Sequence, residues 1–171
     1  MNSNHKVFSS NRRVTAGIDP GKKGGIAVLY EDGTDVFPYS DEGLIDLCRS
    51  YANIGGMSKS PAGLPKSPAG IFVCLEKVHS MPGQGVASTF AFGKGYGYIC
   101  GVLEAFGIPY QEIPPQKWKR EYSLGSNKKQ SIETARKLFP GLSLKASERC
   151  TSDHDGMAEA LLIALYGKRH F

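Results

Sequence analysis

Four acidic residues stand where the chain has least reason to carry charge. Asp19 ends an apolar run and opens onto Pro20-Gly21. Glu76 follows five apolar residues at 71–75. Asp155 and Glu159 are four apart, so on a helix they share one face. Strand ends on a mixed sheet can meet, and a helix packed beside them can add its acids. Carboxylates gathered in that way repel one another unless cations sit between them. Mg²⁺ takes oxygen ligands and keeps waters. Two such ions about 3.5–4 Å apart stabilise both the attacking and the leaving oxygen of a phosphodiester.

Local structure accounts for part of this set. Aspartate before Pro-Gly shapes turns. Ser152-Asp153-His154-Asp155 fits a capping box, and acids suit a helix's first turn. Neither reason reaches Glu159, which lies between Ala158 and Ala160 on an otherwise apolar helix. Nor does either reach Glu76. His154 has two readings, a metal ligand or proton carrier and a helix cap. No Walker A lysine motif or GxSxG is present. Gly93-Lys94-Gly95-Tyr96-Gly97 does not follow a strand as a dinucleotide fingerprint requires.

The 171 residues suffice for one domain and a sizeable core. The formal net charge is +5, and its distribution matters more than its size. From Gln116 to Cys150 there are nine Lys/Arg against three acids, Glu121, Glu133 and Glu148. A basic surface around an acidic centre suits an enzyme that holds nucleic acid and places metal ions on it. A solvated basic helix face is the plainer reading of the same run. No apolar stretch approaches the roughly 20 residues of a membrane span. No apolar segment follows the basic start, so no secretory signal is expected. Cys48, Cys74, Cys100 and Cys150 form no CxxC and read as reduced thiols of an intracellular protein.

The elements that must position the acids follow from pattern and punctuation. Strands are expected at 14–19, 26–30 and 34–39, joined by tight turns at 20–25 and Asp32-Gly33 into an antiparallel meander. A helix at 41–52, capped by Asp41, comes next. The strand at 71–75 is apolar enough to be buried on both faces and central. A helix at 86–106 carries Gly93, Gly97 and Gly101 as one stripe. That many glycines cost roughly 1 kcal/mol each. The stripe therefore predicts a close approach, to the sheet or otherwise to a partner subunit. A strand at 110–113, a short helix or turn at Trp118, a helix from Ser126 to Phe139 and a last helix from Asp153 or His154 to Tyr166 complete an α/β mixed sheet flanked by helices. Residues 1–13 read as a flexible tail and 14–171 as a single domain. Lys-Ser-Pro-Ala-Gly occurs twice within 55–70, which reads as a mobile loop.

Taken in order, Gly17-Ile18-Asp19-Pro20-Gly21, Gly24-Gly25-Ile26-Ala27, Leu75-Glu76-Lys77-Val78, Trp118-Lys119 and His154-Asp155-Gly156-Met157-Ala158-Glu159-Ala160-Leu161 resemble the RuvC-type Holliday-junction resolvases. The likeness is to the phage and bacterial RuvC-like proteins and the plant chloroplast resolvases, over 14–167. It implies a ribonuclease-H-like five-stranded sheet, a homodimer, and paired Mg²⁺-dependent cuts across a four-way DNA junction. Two ions per site are implied, with Mn²⁺ as a substitute and no nucleotide cofactor or membrane. It implies Asp19, Glu76 and Glu159 as metal ligands. The fourth is Asp155, with His154 next and Asp153 third. Lys119 and Lys129 fall where the family keeps lysines near the scissile phosphate. Lys117, Lys119, Arg120, Lys128 and Lys129 are then expected to hold phosphates. His79 to Phe92 would line the junction centre, with Phe90 or Phe92 stacking. The repeat at 59–70 has no counterpart in the family. Three other readings stay open: a nuclease on RNA–DNA hybrid or other branched DNA, a silent junction binder, and an actin-like ATPase or kinase.

Overall fold

A computed structural model describes residues 14–54, 70–78 and 85–171. The expected tail at 1–13, His79 and nearly all of the repeat-bearing loop lie outside the described residues. Five strands form one mixed sheet in the order β3-β2-β1-β4-β5. They are β1 (Val14–Asp19), β2 (Gly25–Leu29), β3 (Thr34–Pro38), β4 (Ile71–Glu76) and β5 (Tyr110–Ile113). The first three make the expected antiparallel meander. β4 runs parallel to both β1 and β5. The middle strand is thus β1 rather than β4, because β5 takes the edge beyond β4.

Helices cover both faces. On one, α1 (Asp41–Ile54) and α2 (Val86–Ala105) close a core built from Ile18, Ile26, Leu44, Val73, Leu75, Ile99 and Leu103. On the other, α4 (Lys128–Leu138) and α5 (Asp155–His170) pack Ala135, Met157, Ala160, Leu161 and Ala164 against Ala27 and Leu29. The short α3 (Pro115–Glu121) buries Trp118 beside Cys74, Leu162 and Ile163. All four cysteines are free thiols. Among the described residues no helix is long and apolar enough to cross a membrane.

Three expectations are corrected. Asn127, not Ser126, caps α4, its side chain accepting from the Lys129 amide. Its extended backbone places the carboxamide oxygen over that first turn. No capping box opens α5; His154 is the cap, its Nδ1 accepting from Met157 N at 3.3 Å. The glycine stripe does not approach the sheet. A Cβ built on Gly93, Gly97 or Gly101 meets nothing within 4 Å. α2 turns Ile99 and Leu103 inward and leaves the stripe facing outward.

Candidate active site

The acidic residues converge because two parallel strands end side by side and a helix lies across them. Ile18 pairs with Leu75, so Asp19 and Glu76 occupy adjacent strand ends. α5 crosses the same strands, and its first two turns bring Asp155 and Glu159 over them. Asp19 is half-buried at the end of β1. Burial, and then the charges of Glu76 and Glu159, push its carboxyl well above the ordinary range. Glu76 is raised by burial and by Glu159 in turn, a rise that Lys119, Trp118 and the neighbouring Asp19 carboxyl offset in part. One proton shared between two carboxyls is how an enclosed acidic pair limits its own repulsion.

Basic and neutral donors fix the other acids. Lys119 Nζ stands 3.3 Å from Glu159 Oε1, and Ser131 Oγ donates to the same oxygen at 3.1 Å. Trp118 Nε1 donates to Glu76 Oε1 at 3.1 Å. Lys128 Nζ pairs with Asp155 Oδ2. Although partial burial raises Asp155, the Lys128 hydrogen bond and charge bring it below the usual range.

The other expected site residues fall in different places. Asp153 turns away from the cluster and pairs with Arg136 at 2.5 Å. His154 faces the helix it caps. Lys129 is exposed on α4, one residue beyond the lysine that meets the acids. Lys117 and Arg120 lie on the face of α3 opposite Lys119 and line a recess with Tyr166 and His170. Phe90 is 74% exposed on α2. Phe92, half-buried, lies near the Gly21 turn that follows Asp19.

Sequence reasoning did not single out Ser131. Its only signal is faint: Ser131 and Ala135 are small residues four apart on the inward face of α4, as close helix packing requires. The pairing of Trp118 with Glu76 spans 42 residues and has no local signal at all.

Every converging ligand atom is a carboxylate oxygen, which fits a hard divalent cation. A cation would also relieve the repulsion that holds Asp19 and Glu76 toward their protonated forms. As the side chains stand, they pair with one another and with Lys119 and Lys128. Among the described residues no three of Asp, Glu, His or Cys close on one point.

No family model matches the sequence, and no curated protein matches it. Solved structures do match. The RuvC structure of Thermus thermophilus is 20% identical, covers 91% of this chain and 96% of its own, and superposes with a TM-score of 0.50. The T. thermophilus RuvC complex with a Holliday junction substrate is 16% identical, with coverage of 92% and 96% and a TM-score of 0.49. A Cas12f1–sgRNA–target DNA complex is more distant, at 13% identity, 40% coverage of its own chain and a TM-score of 0.37. Over nearly its whole length, then, the chain has the RuvC-like, ribonuclease-H-like fold that the ordered motifs imply.

Proposed function

We propose that this chain is a divalent-metal-dependent endonuclease that resolves four-way DNA junctions. The observation that carries the reading is the convergence of Asp19, Glu76, Asp155 and Glu159 at adjacent strand ends under α5, rimmed by Lys119 and Lys128. Those four carboxylates would hold Mg²⁺, which when bound activates water and stabilises the leaving oxygen. The protein's own groups do the rest. Trp118 and Ser131 hold Glu76 and Glu159 in fixed orientations. Lys119 and Lys128 give the rim positive charge toward a backbone phosphate, and Lys129 extends that charge along α4.

A homodimer forms part of the proposal. Val86 is 87% exposed and Phe90 74%, on the same helix as the outward glycine stripe. A second copy seated there would place two acidic clusters on a two-fold substrate. Sedimentation velocity reads this directly, and a strictly monomeric protein would remove it.

The deciding experiment incubates the protein with an immobile junction, a linear duplex and an RNA–DNA hybrid, with Mg²⁺ or with EDTA. Paired symmetric nicks confined to the junction and dependent on Mg²⁺ are expected. Cuts on the hybrid instead would make it a different nuclease. Binding without cuts would leave a junction-binding module.

Lys128 supplies a test that does not depend on turnover. Its ammonium holds Asp155, and its charge also reaches Asp19 and Glu159. It therefore competes with any cation for the same carboxylates. Lys128→Ala is expected to bind Mn²⁺ about fivefold more tightly by calorimetry, the equivalent of ~1 kcal/mol for a partly exposed pair. An affinity equal to that of the parent would show that the lysine does not compete.

A further inference from the structure

The far end of α5 carries a second concentration of charge that the acidic cluster does not use. Lys117, Arg120, Glu121, Tyr166 and His170 enclose an open recess of about 410 Å³. The rings of Tyr166 and His170 stack at 4.4 Å to form one wall. Glu121, the recess's one acid, is already neutralised. Arg169 Nη1 lies 2.8 Å from one of its oxygens and His170 Nε2 lies 2.6 Å from the other. Lys117 and Arg120 have no ion-pair partner among the described residues. Two uncompensated cations, one of them a planar fork of donors, thus face a cavity large enough for a tetrahedral oxyanion.

This recess is separate from the acidic centre. Along α5, Tyr166 follows Glu159 by seven residues and Asp155 by eleven, which is about 10–16 Å at 1.5 Å per residue. α3 serves both places with opposite faces: Lys119 points to Glu159, while Lys117 and Arg120 point away. On duplex DNA, rising 3.4 Å per step, that separation is about three to five base pairs.

We propose that the recess seats a backbone phosphate of a duplex arm, about three to five base pairs from the cleaved bond, and holds the arm without taking part in cutting. The proposal rests on the nuclease reading above. A free phosphate ion is the competing occupant of the same chemistry.

The test compares Lys117→Ala/Arg120→Ala with Arg49→Ala, which removes a charge from α1 on the sheet's other face. Binding to junction and duplex is measured in EDTA across about 50–200 mM salt, and the log–log slope for the double variant is expected to be shallower by about two. Affinity falls about a hundredfold at the low-salt end and somewhat under tenfold at the high-salt end, the single-turnover cutting rate at saturating protein stays at the parental value, and Arg49→Ala changes neither. An unchanged slope overturns the proposal. So does an equal loss in the saturated rate, which would put these residues at the reacting phosphate. Inorganic phosphate that shifts the His170 ring resonances while the DNA slope is unaltered makes this a free-anion site and overturns it too. A parental protein that binds DNA but cuts no junction sinks the nuclease reading alone. One that binds no DNA sinks both.

Discussion

Asp19→Asn is expected to stop cutting while leaving junction binding near the parental level, and to make the metal-free protein more stable. The first part follows from position. Asp19 sits at the centre of the acidic cluster, coupled to Glu76, Glu159 and Asp155. An amide cannot supply the negative oxygen that a divalent cation requires. Loss of a central catalytic group costs about 10³-fold or more in rate, whereas the proposed DNA affinity would rest on lysines and arginines elsewhere. The second part follows from linkage. Burial and neighbouring acids raise Asp19 in the folded state, so the fold binds that proton more tightly than the unfolded chain does. Stability is therefore lost as pH rises from the unfolded carboxyl value of about 3.9 up to the raised folded value, and it stays lost above it. Asparagine removes that loss. In EDTA at neutral pH the variant should melt higher than the parent, at about 2–4 °C for each kcal/mol recovered in a domain of this size. Its melting temperature should also depend less on pH. Mg²⁺ should stabilise the parent more than the variant. A variant that cuts at the parental rate would end the metal reading, and one that melts lower in EDTA would show that Asp19 is not under electrostatic strain.

The acids were legible because they broke a pattern. A carboxylate after five apolar residues, or two turns inside an apolar helix, has no solvent to face unless something gathers it. The strands were legible for a related reason: β1, β2 and β4 are short, apolar and bounded by glycine or proline. What partners each acid was not legible. Trp118 reaches Glu76, and Ser131 reaches Glu159, only because α3 and α4 lie where the sheet and α5 put them. Caps misled where two polar candidates were adjacent, as with Ser126 and Asn127, since one residue's backbone angle decides between them. Lys128 and Lys129 pose the same problem on a helix: neighbours point about 100° apart, and composition cannot say which meets the acids. The α2 glycines misled because their spacing implies a close approach without naming the surface approached.

Gly25 and Gly156 are among the glycines that do make a close approach, where α5 meets the β1–β2 turn, and Gly156→Ala is expected to be among the most damaging single substitutions in the chain. Two effects oppose each other. Gly156 is in the first turn of α5, where alanine is preferred over glycine by up to ~1 kcal/mol. Yet a Cβ there would lie 2.1 Å from Lys23 O and 2.7 Å from Gly24 Cα. Both are backbone atoms, so no side chain can rotate aside. Gly25 faces the same contact from the other direction, its Cβ position 2.5 Å from Gly156 O. Turn and helix thus meet backbone to backbone, and relief requires the helix to move by about 1 Å. Overpacking of this kind costs about 3 kcal/mol, which outweighs the propensity gain and should lower the melting temperature by several degrees. The same movement displaces Asp155 and Glu159 from Asp19 and Glu76, and a misplacement of about 1 Å costs roughly 10²-fold in rate. Assayed well below its melting temperature, the folded variant should still cut at least that much more slowly than the parent. Gly33→Ala, in the exposed hairpin where a Cβ meets only Tyr30 Cδ2 at 3.9 Å, should match the parent in both measurements. If Gly156→Ala melted at or above the parental temperature, helix propensity would have won, and the tight seating of α5 on the turn could not be what positions the acids.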